Sequence, residues 1–461
     1  MNKVKEKKQK TKSVVELPIV NSYSAGIDIG DTIHVIAVAE GLSTERVRTF
    51  GTMTCDLHAI ADWLTECEID TVAMESTGVY WKPLFSLLCS RGFEVYLVNA
   101  AHAKNVTGRK DDENDAMWIQ KLHSCGLLSS SYLPGDEQEA LRTIVRFRRT
   151  LTQDSTRCVN RIQKSLELMN IKFHTIISDI VGQSGQAVLK AIIAGERTAA
   201  NFLPHISSRI KADRDVVVKS LEGNWRDEHL YTLQECYSMY LYYRERIAVC
   251  DKEIEKHLQK LEAKANEGEI VAKKQDAATG TPVIKKEKKG KDKNHPKMDV
   301  RTYLEKIHGV DILAIYGLSD IGGLELLAET GTDLSKWKTD KKFIGWLNLC
   351  PNNKISGGKQ ISSHVMKKKP NTAALAFKYA ANAVQKSNHW LGDYFRRMKS
   401  KGGNKYAITA TAGKIAKIYY KMITQKETFK PVELSAYQEK FKLKKIAYLE
   451  RKLASLKAEA A

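Results

Sequence analysis

Eight cysteines are scattered through the 461 residues, at positions 55, 67, 89, 125, 158, 236, 250 and 350, and none belongs to a CxxC pair. No histidine cluster stands with them at zinc-ligand spacing. These absences argue against a zinc module and against a disulfide-stapled secreted scaffold, and leave reduced, mostly buried thiols. No apolar run approaches the length of a membrane span. The Lys-rich first residues are not followed by an apolar segment, so the pattern of a signal peptide is missing as well. The expectation is a soluble, cytoplasmic protein.

What the chain has in excess is positive charge. Its 74 Lys and Arg residues stand against 54 Asp and Glu, a formal net charge of +20. Such an excess calls for a polyanionic partner, nucleic acid first, with a solubilising surface and basic tails as the plainer alternative. Hydrophobic residues make up 43% of the chain, enough for real cores, and its length predicts two or three domains.

Residues 1–23 read as a disordered basic arm. From Ser24 short apolar strands alternate with helices. GIDIGDTIHVIAVAE (Gly26 to Glu40) has a β-type alternation with a Gly-containing kink, and ERVRTFGTM reads as a second, antiparallel strand. DLHAIADWLTECEI carries Leu57, Ile60, Trp63 and Leu64 on one helical face. TVAMEST is a buried strand, YWKPLFSLLCSRG a helix closed by Gly92, EVYLVNA another buried strand, and DENDAMWIQKLHSCG a helix. The order β-β-α-β-α-β-α predicts a mixed α/β sheet domain over residues 24–134.

Residues 135–262 read as helical. Ile144, Leu151 and Cys158, with Ile162 and Met169 on the adjoining row, keep near-heptad spacing, and Tyr240, Tyr243, Ile247, Cys250, Ile254, Leu258 and Leu261 keep 3-4 spacing. Two such helices fit an antiparallel coiled coil, a contact with a second chain, or a helical subdomain packed on itself. Residues 263–299 are Lys-rich without periodic apolar positions, the composition of a flexible linker. A second, mainly α-helical domain is expected over residues 300–428, and an exposed basic helix over 429–461.

Four acidic residues occupy positions where a sheet domain can build a metal site. Asp28 lies within the first strand, Glu75 closes TVAME, and Asp112 and Asp115 open the helix after GRK on one helical face. In an RNase H-like sheet the first strand and the next internal strand end side by side, and a helix crossing them brings its acidic face to the same point. Two Mg²⁺ ions (or Mn²⁺) need several oxygen ligands, and clustered carboxylates repel unless metals neutralise them. The plainer readings are an N-cap for Asp112, and acidic neighbours Asp31, Asp111 and Glu113 that could be mistaken for ligands or replace them.

GIDIGDTIHVIAV, AMESTGVYWKPL and NAAHAKNVTGRKDDENDAMWIQKL resemble the three blocks of the DEDD transposases, insertion-sequence recombinases with a RuvC-like N-terminal domain. The resemblance implies Asp28, Glu75, Asp112 and Asp115 as a metal-binding catalytic tetrad. It departs at Asp111, where relatives usually carry Thr or Ser; one helical turn to Asp115 favours Asp112 as the ligand. GVDILAIYGLSDIGGLELLAETGTDLSKWKTDKKFIGWLNLCPNNKISGGK is similar to the family's second region.

Within that region GLSDIGGLELLAETG reads as a helix-hairpin-helix-like element, whose glycines either present backbone N–H groups to phosphate or mark a tight helix connection. In WLNLCPNNKISGGKQISS, Pro, Asn and Gly place Ser356 in a turn, where Gly357 and Gly358 allow a DNA backbone to approach. A loop serine is ordinarily only a turn former. The resemblance implies instead a serine nucleophile, assigned to Ser356 with Ser362 and Ser363 as substitutes, and a covalent phosphoserine intermediate. His364 is the one nearby imidazole, and more plausible as a surface residue than as a base. Arg109, Lys110, Arg142, Arg146, Arg149, Lys354, Gly357, Gly358 and Lys359 are the candidate nucleic-acid contacts, with Lys367 to Lys369 beside them. The resemblance also implies a structured noncoding bridge RNA that pairs with donor and target DNA, and a homodimer that assembles into a tetramer on DNA. Two other readings compete: a Holliday-junction resolvase or RNase H-type nuclease working by water attack, and a non-enzymatic basic RNA-binding protein.

Overall fold

The structure, a computed structural model, describes residues 18–98, 112–272, 293–365 and 371–460. Most of the expected basic arm, Arg109, Lys110, Asp111, the greater part of the Lys-rich stretch and Lys367 to Lys369 lie outside the described residues. The chain divides into two compact units, one ending at Leu133 and the other beginning at Pro134.

The first unit is built on a five-stranded sheet in the order β3-β2-β1-β4-β5. Strands β1 (Ser24–Ile29), β2 (His34–Val38) and β3 (Val47–Phe50) form an antiparallel meander. The stretch Gly26 to Glu40, expected as one kinked strand, is therefore two. The chain reverses at Gly30, whose N–H donates to the Ile33 carbonyl at 3.0 Å. A Cβ at Gly30 would stand 2.5 Å from that carbonyl oxygen, so the turn has no room for a larger residue. Strands β4 (Thr71–Glu75) and β5 (Glu94–Val98) continue the sheet in parallel on the other side of β1. Three antiparallel strands followed by two parallel ones, in this order, give the RNase H/RuvC-like sheet.

Helices α1 (Thr54–Glu66) and α2 (Trp81–Ser90) cover one face. They bury Leu57, Ile60, Leu64, Leu84 and Leu88 against Ala25, Ile27 and Ile29, the alternate residues of β1. Helix α3 (Asp112–Ser124) takes the opposite face, with Ala116 packed against Val35 and Ala37.

Among its described residues the second unit is helical except for one hairpin. Helix α4 (Asp136–Leu168) lies against α8 (Asp227–Ala272). Glu137 pairs with Lys264 at 2.6 Å and Arg148 with Asp251 at 2.5 Å, so residue numbers fall along one helix as they rise along the other. The two heptad-like stretches thus meet each other within one chain as an antiparallel pair, with Leu151, Ile247 and Cys250 in the seam. Helix α8 runs to Ala272, past the point where the linker was expected to begin. Short helices α5 (Phe173–Ile176), α6 (Gln183–Ile193) and α7 (Arg214–Leu221) close over the pair, burying Phe173, Leu189, Phe202 and Leu221 with Ile162 and Leu233.

Then follow α9 (Val300–His308), α10 (Asp320–Thr330), α11 (Asp340–Trp346), strands β6 (Pro351–Ser356) and β7 (Lys359–Val365), α12 (Thr372–Ala383), α13 (Trp390–Gln425) and α14 (Leu434–Ala460). Helix α13 is broken at Gly402 and Gly403, whose backbone leaves the helical region. The helix-hairpin-helix-like segment, Gly317 to Gly331, comprises the turn before α10 and α10 itself. Its glycines serve packing: a Cβ at Gly323 would sit 2.7 Å from Leu304 Cδ1, and one at Gly317 would sit 2.4 Å from the Ala380 carbonyl oxygen. From Gly322 to Thr330 every residue of α10 is buried, and the Gly322 N–H is already bonded to Ser319 Oγ at 3.1 Å.

Candidate active site and nucleic-acid surfaces

Parallel pairing of β1 with β4 sets Ile27 opposite Met74, so Asp28 and Glu75, one residue further along each strand, stand side by side where the two strands end. Residues two apart on a strand share a face, and Gly26 is two before Asp28. A Cβ at Gly26 would lie 2.2 Å from the Gln120 amide nitrogen and 2.5 Å from the Ala116 carbonyl oxygen. Helix α3 therefore rests directly on this glycine, and its backbone covers the face that carries Asp28. Asp112, Glu113 and Asp115 occupy its first turn, with Asp115 half-buried and Asp112 and Glu113 exposed.

Electrostatics registers this convergence. The Asp28 carboxyl is pushed up to about 6, first by burial, then by the negative charges of Glu75, Asp112 and Asp115; a backbone hydrogen bond at Ile29 opposes the shift. The three carboxylates acting on Asp28 are the three that the sequence grouped with it. Thr77 Oγ1 donates to Glu75 Oε1 at 3.1 Å and orients that side chain. Among the described residues no three His, Cys, Asp or Glu side chains stand close enough to grip one ion together. The charges of the other three reach Asp28 through space, and the four carboxylates do not close into a ligand shell. Their chemistry, hard oxygen donors whose repulsion a cation would relieve, suits Mg²⁺ or Mn²⁺.

Ser356 ends β6 and pairs with Lys359 across a two-residue turn. Gly357 and Gly358 both have positive φ, +55° and +76°, the signature of a type I′ hairpin, and a Cβ at either would meet only open space. Described side chains from Pro351 to Ile361 are exposed, so Lys354, Ser356 and Lys359 all face solvent. Ser362 is half-buried; the side chains of Ser363 and His364 lie outside the described residues.

The three candidate arginines, all on α4, have acidic partners inside the unit. Arg142 pairs with Glu139 on its own helix, Arg146 holds Glu329 through two bonds of 2.7 Å, and Arg149 lies 3.8 Å from Glu325. Glu325 and Glu329 are buried residues of α10. Arg146 and Arg149, expected to meet phosphate, thus hold α10 against α4. Sequence reading missed a lysine cluster formed by α13 and the turn before α11. Lys338, Lys414, Lys417 and Lys421 line a cavity of about 440 Å³, with Asp340 beside Lys417 at 3.2 Å. The Lys414 ammonium is held below its usual range by burial and by the charges of Lys417 and Lys444. The signal was present in the 3-4 spacing of Lys414, Lys417 and Lys421, which places them on one helical face.

A carboxylate-bearing RNase H-like sheet is an arrangement suited to phosphoryl-transfer chemistry on nucleic acid. Residues 25–171 match a family profile described as a transposase, of the DEDD type found in IS110 elements, and residues 311–396 match that of the transposase IS116/IS110/IS902 family. Both belong to one family, follow in order and together span about half the chain. The chain belongs to the IS110 family of insertion-sequence transposases. The search of curated proteins gave no match. Among the described residues no helix is long and apolar enough to cross a membrane.

Proposed function

We propose that this transposase cuts and rejoins DNA with the carboxylates Asp28, Glu75, Asp112 and Asp115 and with Ser356 as nucleophile. The observation that carries the reading is the acidic cluster itself: Asp28 and Glu75 stand side by side where two strands end, beneath the acidic first turn of α3, and burial followed by the three neighbouring carboxylates raises Asp28. Bound there, Mg²⁺ or Mn²⁺ would lower the cost of negative charge on the attacking and leaving oxygens. A serine hydroxyl is a poor nucleophile at neutral pH and needs such activation.

In the proposed step Ser356 Oγ forms a bond to phosphorus as one deoxyribose oxygen leaves. The proton lost by the serine ends on that leaving oxygen. A deoxyribose hydroxyl from another strand then reverses the exchange, frees the serine and reseals the backbone without net hydrolysis. The exposed hairpin suits this role, because Gly357 and Gly358 add no side chain beside Ser356 and Lys354 and Lys359 supply positive charge for phosphate.

DNA at the element ends and target, a bridge RNA and a homodimer that becomes a tetramer on DNA complete the proposal. Arg109 and Lys110 remain candidate contacts; so do Arg142, Arg146 and Arg149 as far as they stay open to solvent, and Lys338 with Lys414, Lys417 and Lys421 of α13 join them. Asp115→Ala is expected to abolish strand cleavage while leaving RNA binding within about twofold, since no phosphate-binding cation is removed. Cleavage by the variant at wild-type rate would overturn the metal-site assignment. The water-attack nuclease shares the carboxylates but assigns no task to the glycine hairpin.

A further inference from the structure

Lys414, Lys417 and Lys421 share one face of α13, and the surface around them is hollow. Besides the cavity of about 440 Å³, Lys414 lines two others. One, of about 380 Å³, is also lined by Lys341, Lys417, Cys350 and Pro351. The other, of about 290 Å³, takes in Lys421, Glu427 and Lys430. The three adjoin at Lys414 and form one groove along the second half of the helix.

Charge in this groove is not balanced. Lys338, Lys341, Lys414, Lys417, Lys421 and Lys430 line it against two carboxylates, Asp340 and Glu427. Asp340 pairs with Lys417 and Glu427 with Lys421, each at 3.2 Å. Among the described residues the other four lysines have no ion-pair partner. Like charges one helical turn apart destabilise a helix, so a merely solvated face gains nothing by gathering them. Lys414 reaches solvent and is nevertheless crowded, by its surroundings and by the ammonium groups of Lys417 and of Lys444 on α14. A bound anion would relieve that repulsion.

The position of the groove selects the anion. Pro351, in its lining, is the first residue of β6, and Ser356 is the last. At the rise of an extended strand, the six residues of β6 span about 17 Å. Phosphates along one strand of a duplex advance about 3.4 Å each, so the groove lies about five nucleotides from a phosphate held at Ser356.

We propose that this groove seats backbone phosphates of the DNA strand that Ser356 attacks, within about five nucleotides of the cut. It grips the backbone and reads no bases, so it sets the register of the strand at the hairpin. Its lysines are positioning residues. The place of the groove on the DNA rests on the serine reading; the phosphate contact itself does not.

Fluorescence anisotropy of labelled element-end duplex DNA, with the full chain and its cognate RNA in EDTA, tests the contact without chemistry. Lys414→Ala with Lys417→Ala is expected to weaken binding about tenfold at about 0.15 M salt. The slope of log affinity against log salt should fall by about two, one for each lost phosphate contact. Lys414→Arg with Lys417→Arg should keep both near wild type. Both side chains are exposed, so circular dichroism should show an unchanged fold. Single methylphosphonates, each neutralising one phosphate, then locate the contact relative to the nick that wild type makes in Mg²⁺. Within about five nucleotides of the nick they should weaken wild-type binding severalfold and leave the alanine variant unaffected. Unchanged affinity and slope would overturn the clamp and leave serine catalysis untouched. A loss confined to RNA binding would assign the groove to RNA and overturn it as a DNA site. Sensitive phosphates only outside that window would overturn its link to Ser356.

Discussion

Gly26 and Asp28 lie on the same face of β1, and what α3 requires of the first decides what it can do at the second. A Cβ at position 26 would collide with backbone atoms of Gln120 and Ala116, neither of which can rotate away. Gly26→Ala is expected to cost about 1–3 kcal/mol, as overpacking does, and to lift α3 from the sheet together with Asp112 and Asp115. Cleavage should therefore fall well beyond what the lost stability explains; urea titration beside a cleavage assay separates the two. At Asp28 the fold holds negative charges together against their repulsion. Asp28→Asn removes one of the four, so the melting temperature in EDTA at neutral pH should rise and the further rise given by Mg²⁺ should shrink. Equal Mg²⁺ responses in variant and wild type would speak against a metal site there.

His308 gives the residue scale a pH dependence. It is fully buried, neither ring nitrogen has a hydrogen-bond partner, and burial, then the charge of Lys426, hold its pKa down at about 3. The unfolded imidazole takes up a proton near its ordinary value of 6.5 while the folded one stays neutral. Stability from this group is thus complete above 6.5 and declines as pH falls toward 3, at roughly 1.4 kcal/mol per pH unit. Against wild type, His308→Leu should lose that part of the acid sensitivity between pH 7 and 5 in urea unfolding; an unchanged slope would contradict a neutral buried histidine.

At the scale of elements, the α4–α8 pair is locked by Arg148 and Asp251, both about 5% exposed, with Arg148 also donating to the Asn294 carbonyl at 2.9 Å. Asp251→Ala strands a buried guanidinium and should cost about 3–5 kcal/mol, whereas Arg148→Met with Asp251→Leu should recover most of it. Denaturant midpoints of the two variants check the difference. Periodicity alone reveals both helices, because their apolar rows are long. It leaves their partner open, since the ion pairs that choose it join residues far apart in sequence, as Arg146 and Glu329 also do. The hairpin between β1 and β2 is hidden for a local reason: Gly30 turns the chain inside a stretch whose strands on either side share one alternation.

Across the whole molecule, composition pointed to a polyanion, and the order of the blocks pointed to the family. Asp28, Glu75, Asp112 and Asp115 could be singled out as candidates because each stands at a recognisable place, a strand or the first turn of a helix. Ser356 was legible as a turn residue through Gly357 and Gly358, but a reactive hydroxyl leaves no mark in spacing, and only its resemblance to a family motif distinguishes it from Ser362 or Ser363. The positive excess is likewise divided between tasks that composition cannot separate: Arg146 and Arg149 meet buried glutamates, while Lys414, Lys417 and Lys421 line an open cavity.

The central claim is chemical, and a denaturing gel reads it directly. Wild type and Ser356→Ala would be incubated with Mg²⁺, the cognate RNA and labelled element-end DNA, then searched for label that migrates with the protein. The expected result is a covalent adduct in wild type and none in Ser356→Ala. An adduct in both would move the nucleophile to another residue, and free nicked DNA without an adduct in either would contradict serine catalysis in favour of water attack.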